Sequence, residues 1–328
     1  MSNILVIGAG SWGTALSIHL SKIGNNVFLH SWKESHNKQM RAENSNELYL
    51  PGIIFPNTLN VVFNYKESFQ RYTDIIIAVP SSAFLYVVQQ ISEVFSKSVG
   101  IISAVKGFYS DKLDLCHQIS SKVLPKNNYV AISGPSFASE VAKALPTSIT
   151  VSSLNLVYAK YVKSIFNSDQ FRCHISNDIL GVEICGATKN VFSIAIGILD
   201  GLKMGSNIRS EFFVRSFFEM QILAKFLGSR SKTIEGLSGL GDLVLTCNDN
   251  KSRNRRFGIL LGEGKTTTEA SKIIQKVVEG INSTKVISLF AKKHSLNMQV
   301  VHMTFNIVYN NCSVMNALND VLSNGKIF

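Results

Sequence analysis

The sequence lacks several features that would identify a particular class of protein. Its five cysteines are odd in number, far apart and without a Cys-x-x-Cys pair, which argues against a disulfide framework or a zinc site and favours reduced thiols. The first apolar segment is too short for a signal peptide, so we expect a cytoplasmic protein. The longest apolar run, 179–199, is interrupted by Glu183, Lys189 and Asn190, and we therefore expect no stable membrane insertion.

Acidic residues are scarce relative to basic ones, because 33 Lys and Arg accompany 22 Asp and Glu, a formal net charge of +11. Such an excess suits either a nucleic acid or small anions such as phosphates. The basic residues are spread along the chain and their densest cluster, 253–256, is short. We therefore expect a small-molecule partner and no nucleic acid. The length of 328 residues suggests two domains.

The first strand and the glycines after it form a dinucleotide-binding pattern. Ile4 to Ile7 reads as a short buried strand, and apolar residues from Ala15 onward predict a helix. Between them, Gly8, Gly10 and Gly13 form G-x-G-x-x-G. In this pattern the first glycine permits a tight turn, the second lets a pyrophosphate approach the backbone, and the third allows the helix to pack on the strand. The amides at the helix N-terminus then bind phosphate.

The end of the second predicted strand, Val27 to His30, bears on the choice of nucleotide. A site selective for NAD usually places an acid near this point to bind the ribose hydroxyls. Here Trp32 and Lys33 follow the strand instead. Lys33 can bind a 2′-phosphate, so we expect NADPH to be at least tolerated. The alternative is that Lys33 is a solvated loop residue, and the preference between NADH and NADPH stays open.

The alternation of strands and helices continues as far as residue 176. Further strands are predicted at 74–79, 99–103, 129–132, 148–153 and 171–175. Lys106 follows one of these strands, at the edge where parallel sheets bind ligands, although a surface lysine would look the same. Ser136 is predicted to cap a short helix through Glu140. The predicted fold is α/β, with a Rossmann-type doubly wound sheet over residues 1–176 and an all-α domain over 177–328.

The helix predicted at 179–199 is apolar nearly all round, which is typical of a helix buried in a core. Lys189 is the exception, and no acid stands three or four residues from it. A lysine removed from water has a lowered pKa and can exchange protons near neutral pH. Lys189 is therefore either a proton-transfer residue or a side chain that reaches the surface. Asp242 is its predicted partner, unless that residue caps a helix.

Later in the chain, one short segment is suited to bind phosphate, and others predict where helices lie and end. Arg253 and Asn254 are predicted to clamp a phosphate, because a guanidinium group offers a planar fork of donors and the amide adds another. The two arginines after them are interpreted as a solvated basic turn. A helix is predicted over about 210–227, and 277–280 is predicted to end another helix.

Six segments stand in a fixed order along the whole chain: Gly8–Leu16, Ser133–Ala138, Gly186–Val191, Gly239–Val244, Ser252–Asn254 and Val277–Gly280. In this order they resemble the motifs of the bacterial NAD(P)-dependent glycerol-3-phosphate dehydrogenase family. The resemblance implies reversible hydride transfer between NAD(P)H and dihydroxyacetone phosphate, giving sn-glycerol 3-phosphate for glycerophospholipid synthesis. It also implies a cleft between a Rossmann domain and a helical domain, and leaves a homodimer open.

The resemblance further implies a role for individual residues. Lys189 is the implied proton acceptor, and no metal is implied. Substrate contacts are implied for Lys106, Gly134, Ser136, Lys189, Asn190, Asp242, Ser252, Arg253 and Asn254. Cofactor contacts are implied for Gly8, Gly10, Ser11, Trp12, Gly13, Trp32, Lys33, Lys106, Ala138, Arg253, Val277 and Glu279.

The sequence departs from the family pattern at four positions, and two other functions stay open. Family members commonly carry histidine or arginine at Trp32, arginine at Lys33, leucine or valine at Thr188 and a small residue at Glu211. A related β-hydroxyacid dehydrogenase would use the same architecture and a lysine base on a carboxylate substrate. A basic nucleotide-sensing or nucleic-acid-binding protein would bind nucleic acid in a salt-sensitive manner and would not oxidise NAD(P)H.

Overall fold

The computed structural model describes residues 2–94, 99–109 and 113–323, so 324–328, the end of the predicted second domain, lie outside the described residues. Contacts between residues divide the chain into two compact units. The first unit contains 1–105 and 116–179, and the second contains 106–115 and 180–328. The domain limits predicted from the sequence stay a prediction.

The first unit is built on a sheet. In the described part of the chain the strands are β1 (Asn3–Ile7), β2 (Asn26–His30), β3 (Ser45–Asn46), β4 (Leu50–Ile54), β5 (Leu59–Val61), β6 (Asp74–Ile77), β7 (Gly100–Ser103), β8 (Tyr129–Ser133), β9 (Thr147–Ser152) and β10 (Phe171–Ser176). Eight of these described strands form one sheet in the order β10-β9-β8-β7-β6-β1-β2-β5. All neighbours in it are parallel except β8 and β9. β3 and β4 form a separate antiparallel hairpin.

Helices accompany this sheet in sequence. They are α1 (Ser11–Lys22), α2 (Glu34–Glu43), α3 (Phe84–Val94), α4 (Cys116–Val123), α5 (Ala138–Ala142) and α6 (Leu156–Phe166), with 3₁₀ turns at Tyr65–Arg71 and Ser81–Ala83. The central strands are apolar and fully buried, as in the run Ile75 to Ile77. Continuous burial of this kind is expected for parallel strands that are covered on both faces. The predicted α/β class is therefore confirmed for this unit.

The second unit is helical in its described residues. Its helices are α7 (Ile179–Gly201), α8 (Ser206–Phe226), α9 (Ser231–Ile234), α10 (Asp242–Asn248), α11 (Arg253–Gly262), α12 (Thr267–Ile274), α13 (Glu279–Lys293), α14 (Gln299–Tyr309) and α15 (Val314–Ser323), with a π-helical turn at Leu237–Gly241. Within the described residues α7 is the one helix long and apolar enough to cross a membrane. However, 94% of its most apolar window is buried inside the protein, which is usual for a core helix.

Glycines allow α7 and α11 to cross with their backbones in contact. A Cβ on Gly197 would collide with the carbonyl oxygen of Arg255, and one on Gly258 would collide with that of Ile194. Any larger residue at these positions would force the helices apart. The close crossing brings the first turn of α11 to the middle of α7.

Three predictions about where helices begin or end were wrong. Ser136 does not cap a helix, because its Oγ donates to Gly134 O at 2.9 Å and α5 begins at Ala138 after Phe137. The segment 277–280 begins α13 and does not end a helix. The preceding helix α12 already ends where Gln275 takes a left-handed φ of 55°. The helix predicted over 210–227 begins earlier, at Ser206.

Candidate active site

The glycine loop between β1 and α1 has the geometry that its sequence pattern predicts. Gly8 has a φ of +114°, and a Cβ there would meet Ala78 O at 2.5 Å. A Cβ on Gly13 would collide with Gly8 O, so the third glycine lets the helix pack on the loop. A Cβ on Gly10 would meet no atom within 4 Å. The backbone at Gly10 is therefore open to approach, as a bound pyrophosphate requires.

The start of α1 also suits an anion. Gly10 is the N-cap, no side chain in the described part of the chain caps it, and the first turn contains no acid. The first amides of a helix left without side-chain caps favour negative charge. Ser11 Oγ donates to Tyr49 O at 2.8 Å. Trp12 Nε1 is buried and has no hydrogen-bond partner among the described residues. These observations fit a dinucleotide phosphate group at this loop.

The segment that follows β2, residues 31–33, is here called the β2 exit segment. Trp32 is 83% exposed and Lys33 Nζ lies 5.1 Å from the centroid of its ring. A large exposed aromatic ring beside an ammonium group is suited to contact a base or a ribose phosphate. The predicted segment is thus available for a ligand, while its role stays a prediction.

Three predicted residues lie just after the carboxyl end of β8. Gly134 has a φ of +146°, a backbone conformation that side chains rarely adopt, and a Cβ there would lie 3.0 Å from Ile149 Cα. Ser136 is turned back onto Gly134, as described above, and Ala138 begins α5. Ligands bind at the carboxyl ends of the strands in sheets of this type. The position is therefore compatible with the substrate and cofactor contacts predicted for them.

In the second unit, Asp242 bridges two lysines. Lys189 Nζ donates to Asp242 Oδ1 at 2.5 Å, and Lys106 Nζ donates to Asp242 Oδ2 at 2.7 Å. Lys189 is 7% exposed and Asp242 is 1% exposed. Lys189 therefore does not extend to the surface, and its predicted pairing with Asp242 is confirmed. Asp242 is the first residue of α10, after the N-cap Gly241.

The charges of this cluster shift the pKa values of its members. Burial lowers the pKa of Lys189. The negative charge of Asp242 raises this pKa and the positive charge of Lys106 lowers it further, so that the pKa is about 8. Lys106 thus lowers the pKa of Lys189 by like-charge repulsion. For Asp242, burial by itself would raise the pKa, but the two ammonium groups outweigh it and hold the pKa below its usual value. The carboxylate thus stays charged while Lys189 can lose its proton near neutral pH.

Thr246 is a member of this cluster that the sequence reasoning missed. Lys189 Nζ also donates to Thr246 Oγ1 at 3.0 Å, and Thr246 Oγ1 donates to the carbonyl oxygen of Asp242 at 2.6 Å. Thr246 stands four residues after Asp242 on α10, which places both side chains on one helix face. This spacing of four residues from Asp242 is the sequence signal from which Thr246 could have been identified. Asp242 and Thr246 together accept two of the three N–H groups of protonated Lys189.

Asn190, which follows Lys189 in α7, connects this helix to α11 and α13. Asn190 Oδ1 accepts from Asn254 Nδ2 at 2.9 Å, and Asn254 Oδ1 accepts from the backbone N–H of Gly280 at 2.9 Å. Asn190 Nδ2 also lies 3.3 Å from Lys106 O. The close crossing of α7 and α11 makes these contacts possible. Asn254 therefore links the helix of Lys189 to the start of α13.

A cluster of cations surrounds the start of α11. Ser252 caps this helix by accepting from Arg255 N, and Arg253 Nη1 donates to Val277 O at 2.8 Å. Partial burial lowers the pKa of Lys276, and the nearby charges of Arg253 and Arg256 lower it further. Like charges held this close favour an anionic ligand. Lys276 was not identified from the sequence.

The interpretation of Arg255 as a solvated basic residue was wrong. Arg255 Nε and Nη2 both bond Asp200 Oδ2, at 2.9 and 2.6 Å, and Arg255 also bonds Asn250. Asp200 lies near the end of α7, so this arginine fixes α11 against α7. Asp200 lies 55 residues before Arg255 in the sequence, so the residues around Arg255 do not indicate this ion pair.

Comparisons with known proteins agree with this geometry. Residues 3–159 match the family described as NAD-dependent glycerol-3-phosphate dehydrogenase N-terminus, and residues 178–319 match its C-terminus. The chain belongs to this family. The family, the oxidoreductase class acting on a CH–OH group and the NAD(P) dependence predicted from the sequence are thereby confirmed.

Individual relatives extend this result. Glycerol-3-phosphate dehydrogenase, NAD(P)+, of Francisella tularensis subsp. novicida is 42% identical over 308 residues, which cover 94% of this chain and 93% of the relative. The crystal structure of glycerol-3-phosphate dehydrogenase from Coxiella burnetii has a TM-score of 0.95 and 39% identity, with 98% of each chain covered. The yeast Saccharomyces cerevisiae enzyme shares the fold at a TM-score of 0.83 and 23% identity, covering 97% of this chain and 98% of its own.

Two of the four departures from the family pattern, Glu211 and Thr188, make local hydrogen bonds. Glu211 pairs with Arg215, its Oε1 accepting from Nε at 2.9 Å and from Nη2 at 2.7 Å. Thr188 donates its hydroxyl to the carbonyl oxygens of Ile184 and Cys185 within α7. Neither residue contacts Lys189 through these bonds. Among the described residues, no group of three or more His, Cys, Asp or Glu is placed to hold a metal ion.

Proposed function

We propose that this chain catalyses reversible hydride transfer between NAD(P)H and dihydroxyacetone phosphate, giving sn-glycerol 3-phosphate, with Lys189 as the proton-transfer residue. The observation that carries the proposal is the buried ammonium group of Lys189, held by Asp242 and Thr246 with a pKa of about 8. A group that titrates near the working pH is the most effective acid or base.

The hydrogen bonds of Lys189 serve both directions of the reaction. In the oxidation of glycerol 3-phosphate, neutral Lys189 directs its two N–H groups to Asp242 and Thr246, which leaves the lone pair for the proton of the C2 hydroxyl. In the reduction, the third N–H of protonated Lys189 donates to the carbonyl oxygen of the substrate. A dinucleotide held at the glycine loop would supply the hydride to C2 in the reduction and take it up in the oxidation.

The pH dependence follows from the lowered pKa. Oxidation requires neutral Lys189, so its rate rises with pH through about 8. Reduction requires protonated Lys189, so its rate falls as the pH rises through the same value. The shared midpoint is expected because one group performs both proton transfers.

Binding is proposed to involve residues from each unit. From the first unit, we propose that Gly8, Gly10, Ser11, Trp12, Gly13, Trp32, Lys33 and Ala138 contact the dinucleotide, and that Gly134 and Ser136 contact the substrate. From the second unit, we propose that Lys106, Asn190, Asp242, Ser252, Arg253 and Asn254 contact the substrate, and that Lys106, Arg253, Val277 and Glu279 contact the dinucleotide. Binding of the phosphate end orients the carbon that reacts.

The decisive experiment removes the amine of Lys189 and keeps a side chain of similar length. Lys189→Met is expected to lower kcat by about 10²–10⁴-fold, the usual contribution of a positioned acid or base. The assay follows oxidation of NADPH and of NADH with dihydroxyacetone phosphate, and repeats it with a β-keto acid. Dinucleotide binding and thermal unfolding are measured on the same preparation, and both are expected to show a folded protein that binds the cofactor.

Lys225→Met is the matched control, because Lys225 is an exposed lysine on α8. This variant is expected to keep wild-type turnover. Wild-type turnover in Lys189→Met would eliminate the proposed base. Turnover of the β-keto acid in place of dihydroxyacetone phosphate would indicate a β-hydroxyacid dehydrogenase.

We further propose that the enzyme is cytoplasmic, provides glycerol 3-phosphate for phospholipid synthesis, and has neither a nucleic-acid partner nor a stable membrane insertion. A small phosphorylated substrate accounts for the cation cluster at Arg253, Arg256 and Lys276 without a nucleic acid. A homodimer is compatible with these proposals, and sedimentation of the purified protein would test it.

A further inference from the structure

A buried chain of hydrogen bonds in the first unit joins two segments that the proposed function assigns to the cofactor. Asn46 is 1% exposed and His36 is 6% exposed, and neither was among the predicted site residues. We propose that Asn46 and His36 are positioning residues for the dinucleotide, because they hold the glycine loop and the β2 exit segment at a set spacing. This inference rests on the proposed function, since a bound dinucleotide is what requires both segments at once.

The chain begins at Asn46 in β3. Its Nδ2 donates to the carbonyl oxygen of Ala9 at 3.0 Å and to Thr14 Oγ1 at 2.7 Å. Ala9 lies between the first two glycines of the loop, and Thr14 follows the third. Both N–H groups of one buried amide are therefore used to hold the glycine loop and the first turn of α1.

His36 on α2 is the next member. An amide oxygen carries no hydrogen, so Asn46 Oδ1 is the acceptor in its 3.0 Å contact with His36 Nε2. His36 Nε2 therefore carries a proton. His36 Nδ1 lies 3.0 Å from Ser31 Oγ, so a second hydrogen bond joins the imidazole ring to the β2 exit segment.

Ser31 completes the chain at the β2 exit segment. Its Oγ accepts the backbone N–H of Lys33 at 3.4 Å. Asn37, also on α2, accepts from Ser31 N at 2.9 Å and donates to Ser31 O at 2.8 Å. Ser31 is therefore held on its backbone and its side chain together. A shift of Trp32 and Lys33 relative to Ala9 would leave buried polar groups unpaired.

The chain thus has a buried middle and two ends that reach the proposed ligand contacts. One end sets the open backbone at Gly10, where a pyrophosphate is proposed to bind. The other end sets Lys33, the residue proposed to contact a 2′-phosphate. NADPH would reach both points, because its pyrophosphate and its 2′-phosphate are attached to the same ribose. Preorganised contacts at both points lower the cost of binding.

The same unit supplies matched controls for both residue types. Asn25 is 7% exposed, and its Nδ2 donates to the carbonyl oxygens of Leu20 and Ile165 at 3.2 Å each. His19 is 6% exposed, and its Nε2 lies 2.7 Å from Phe166 O. These two residues make buried bonds of the same kind at other places on and after α1. They are expected to matter for stability alone.

The experiment compares Asn46→Ala and His36→Ala with Asn25→Ala and His19→Ala in the full chain. Dissociation constants and KM are measured for NADPH and NADH, together with kcat and thermal unfolding. Asn46→Ala is expected to raise KM for both dinucleotides about tenfold with kcat within about twofold, a loss of about 1.4 kcal/mol of binding free energy. His36→Ala is expected to raise KM for NADPH more than KM for NADH, because it releases Lys33.

Two further variants separate positioning from folding. His36→Gln keeps an N–H toward Asn46 and is expected to restore most of the affinity lost in His36→Ala. The double variant Asn46→Ala/His36→Ala is expected to raise KM for NADPH by less than the product of the two single effects, because both residues belong to one chain. If Asn46→Ala does not fold, Thr14→Val tests the same link, since it removes only the hydroxyl that accepts from Asn46, and about a threefold rise in KM is expected.

The outcomes distinguish this inference from the proposed function. Equal KM changes in the Asn46 and Asn25 variants would overturn the positioning role, as would unchanged KM in Thr14→Val. Failure of the wild-type protein to bind NADPH or NADH would instead overturn the cofactor assignment itself. Wild-type binding together with a selective rise in KM at Asn46 and His36 supports both.

Discussion

Two carboxyl groups buried in the helical unit have opposite pKa shifts. Asp242, at the start of α10, is 1% exposed and has a lowered pKa. Glu219, on α8, is 5% exposed and has a pKa raised to about 8. Burial alone would raise both values, so burial does not explain the difference. The neighbouring groups explain it.

Asp242 receives hydrogen bonds from two full positive charges, whereas Glu219 receives them from peptide dipoles. Glu219 accepts from the backbone N–H groups of Val300 and Val301 at 2.5 and 3.0 Å, at the start of α14. The charge of Arg215 also lowers its pKa, but this arginine is bonded to Glu211. Two peptide dipoles and the charge of Arg215 do not outweigh burial at Glu219, whereas the two ammonium groups at Asp242 do. The carboxyl group of Asp242 thus stays charged beside Lys189, whereas that of Glu219 caps the start of α14.

The largest expected effect comes from removing the charge of Asp242. Asp242→Asn removes the carboxylate that pairs with the buried ammonium group of Lys189, and breaking a buried ion pair in this way costs about 3–5 kcal/mol of stability. The pKa of Lys189 is expected to fall below about 8, because the attraction of Asp242 is lost. Urea unfolding gives the stability, and the pH profile of glycerol 3-phosphate oxidation gives the pKa. An upward shift of that profile would contradict the role of Asp242.

The second largest effect is the contribution of Glu219 to the pH dependence of the free energy of unfolding. Its pKa is about 8 in the folded chain against 4.5 as the usual value, so the folded state binds the extra proton. The stability from this group is therefore full below pH 4.5 and is lost as the pH rises through 8. Between pH 5 and 8, the wild type is expected to lose at least about 1.4 kcal/mol, the equivalent of one pKa unit, relative to Glu219→Gln.

Urea unfolding of both proteins at pH 5 and pH 8 measures this difference, and Glu263→Gln, at an exposed position of the same unit, is the control. The control should follow the wild type at both values. A difference between wild type and Glu219→Gln that does not change with pH would show that Glu219 remains charged throughout this range.

The smallest expected effect comes from Lys106→Met. Lys106 lowers the pKa of Lys189 by like-charge repulsion, and it also shares the carboxylate of Asp242. Its removal is expected to move the midpoint of the oxidation profile to higher pH, opposite to the shift in Asp242→Asn. KM for the substrate is expected to rise as well. A midpoint that stays at or below the wild-type value would contradict the proposed coupling of the two lysines.

The sequence permitted several parts of the site to be predicted because their signals are local. The glycine spacing at Gly8, Gly10 and Gly13 reflects backbone clearances within a few residues, and the structure shows those clearances. The isolation of Lys189 in an apolar helix implied a distant acid, and the lone acid at Asp242 supplied a candidate. The helix ends around Ser136 and Glu279 were predicted wrongly, because the turns that set them have weak sequence signals.

Other parts depend on residues that are distant in sequence. Arg255 was interpreted as solvated because Asp200, its partner, stands far from it in the chain. Asn46 and His36 had no motif of their own, and their connection to Ala9 and Ser31 requires a hairpin and a helix to meet. Burial and pairing at such positions are decided by packing.

By itself, the amino-acid sequence determined the α/β and all-α classes, the glycine loop and the pairing candidates Lys189 and Asp242, because these follow from periodicity and from local backbone geometry. Only the tertiary structure decided the charge balance around Lys189, since electrostatic shifts depend on distances of a few ångströms between α7, α10 and the segment of Lys106. It likewise decided that Glu219 caps a helix, although its carboxyl group is as deeply buried as that of Asp242.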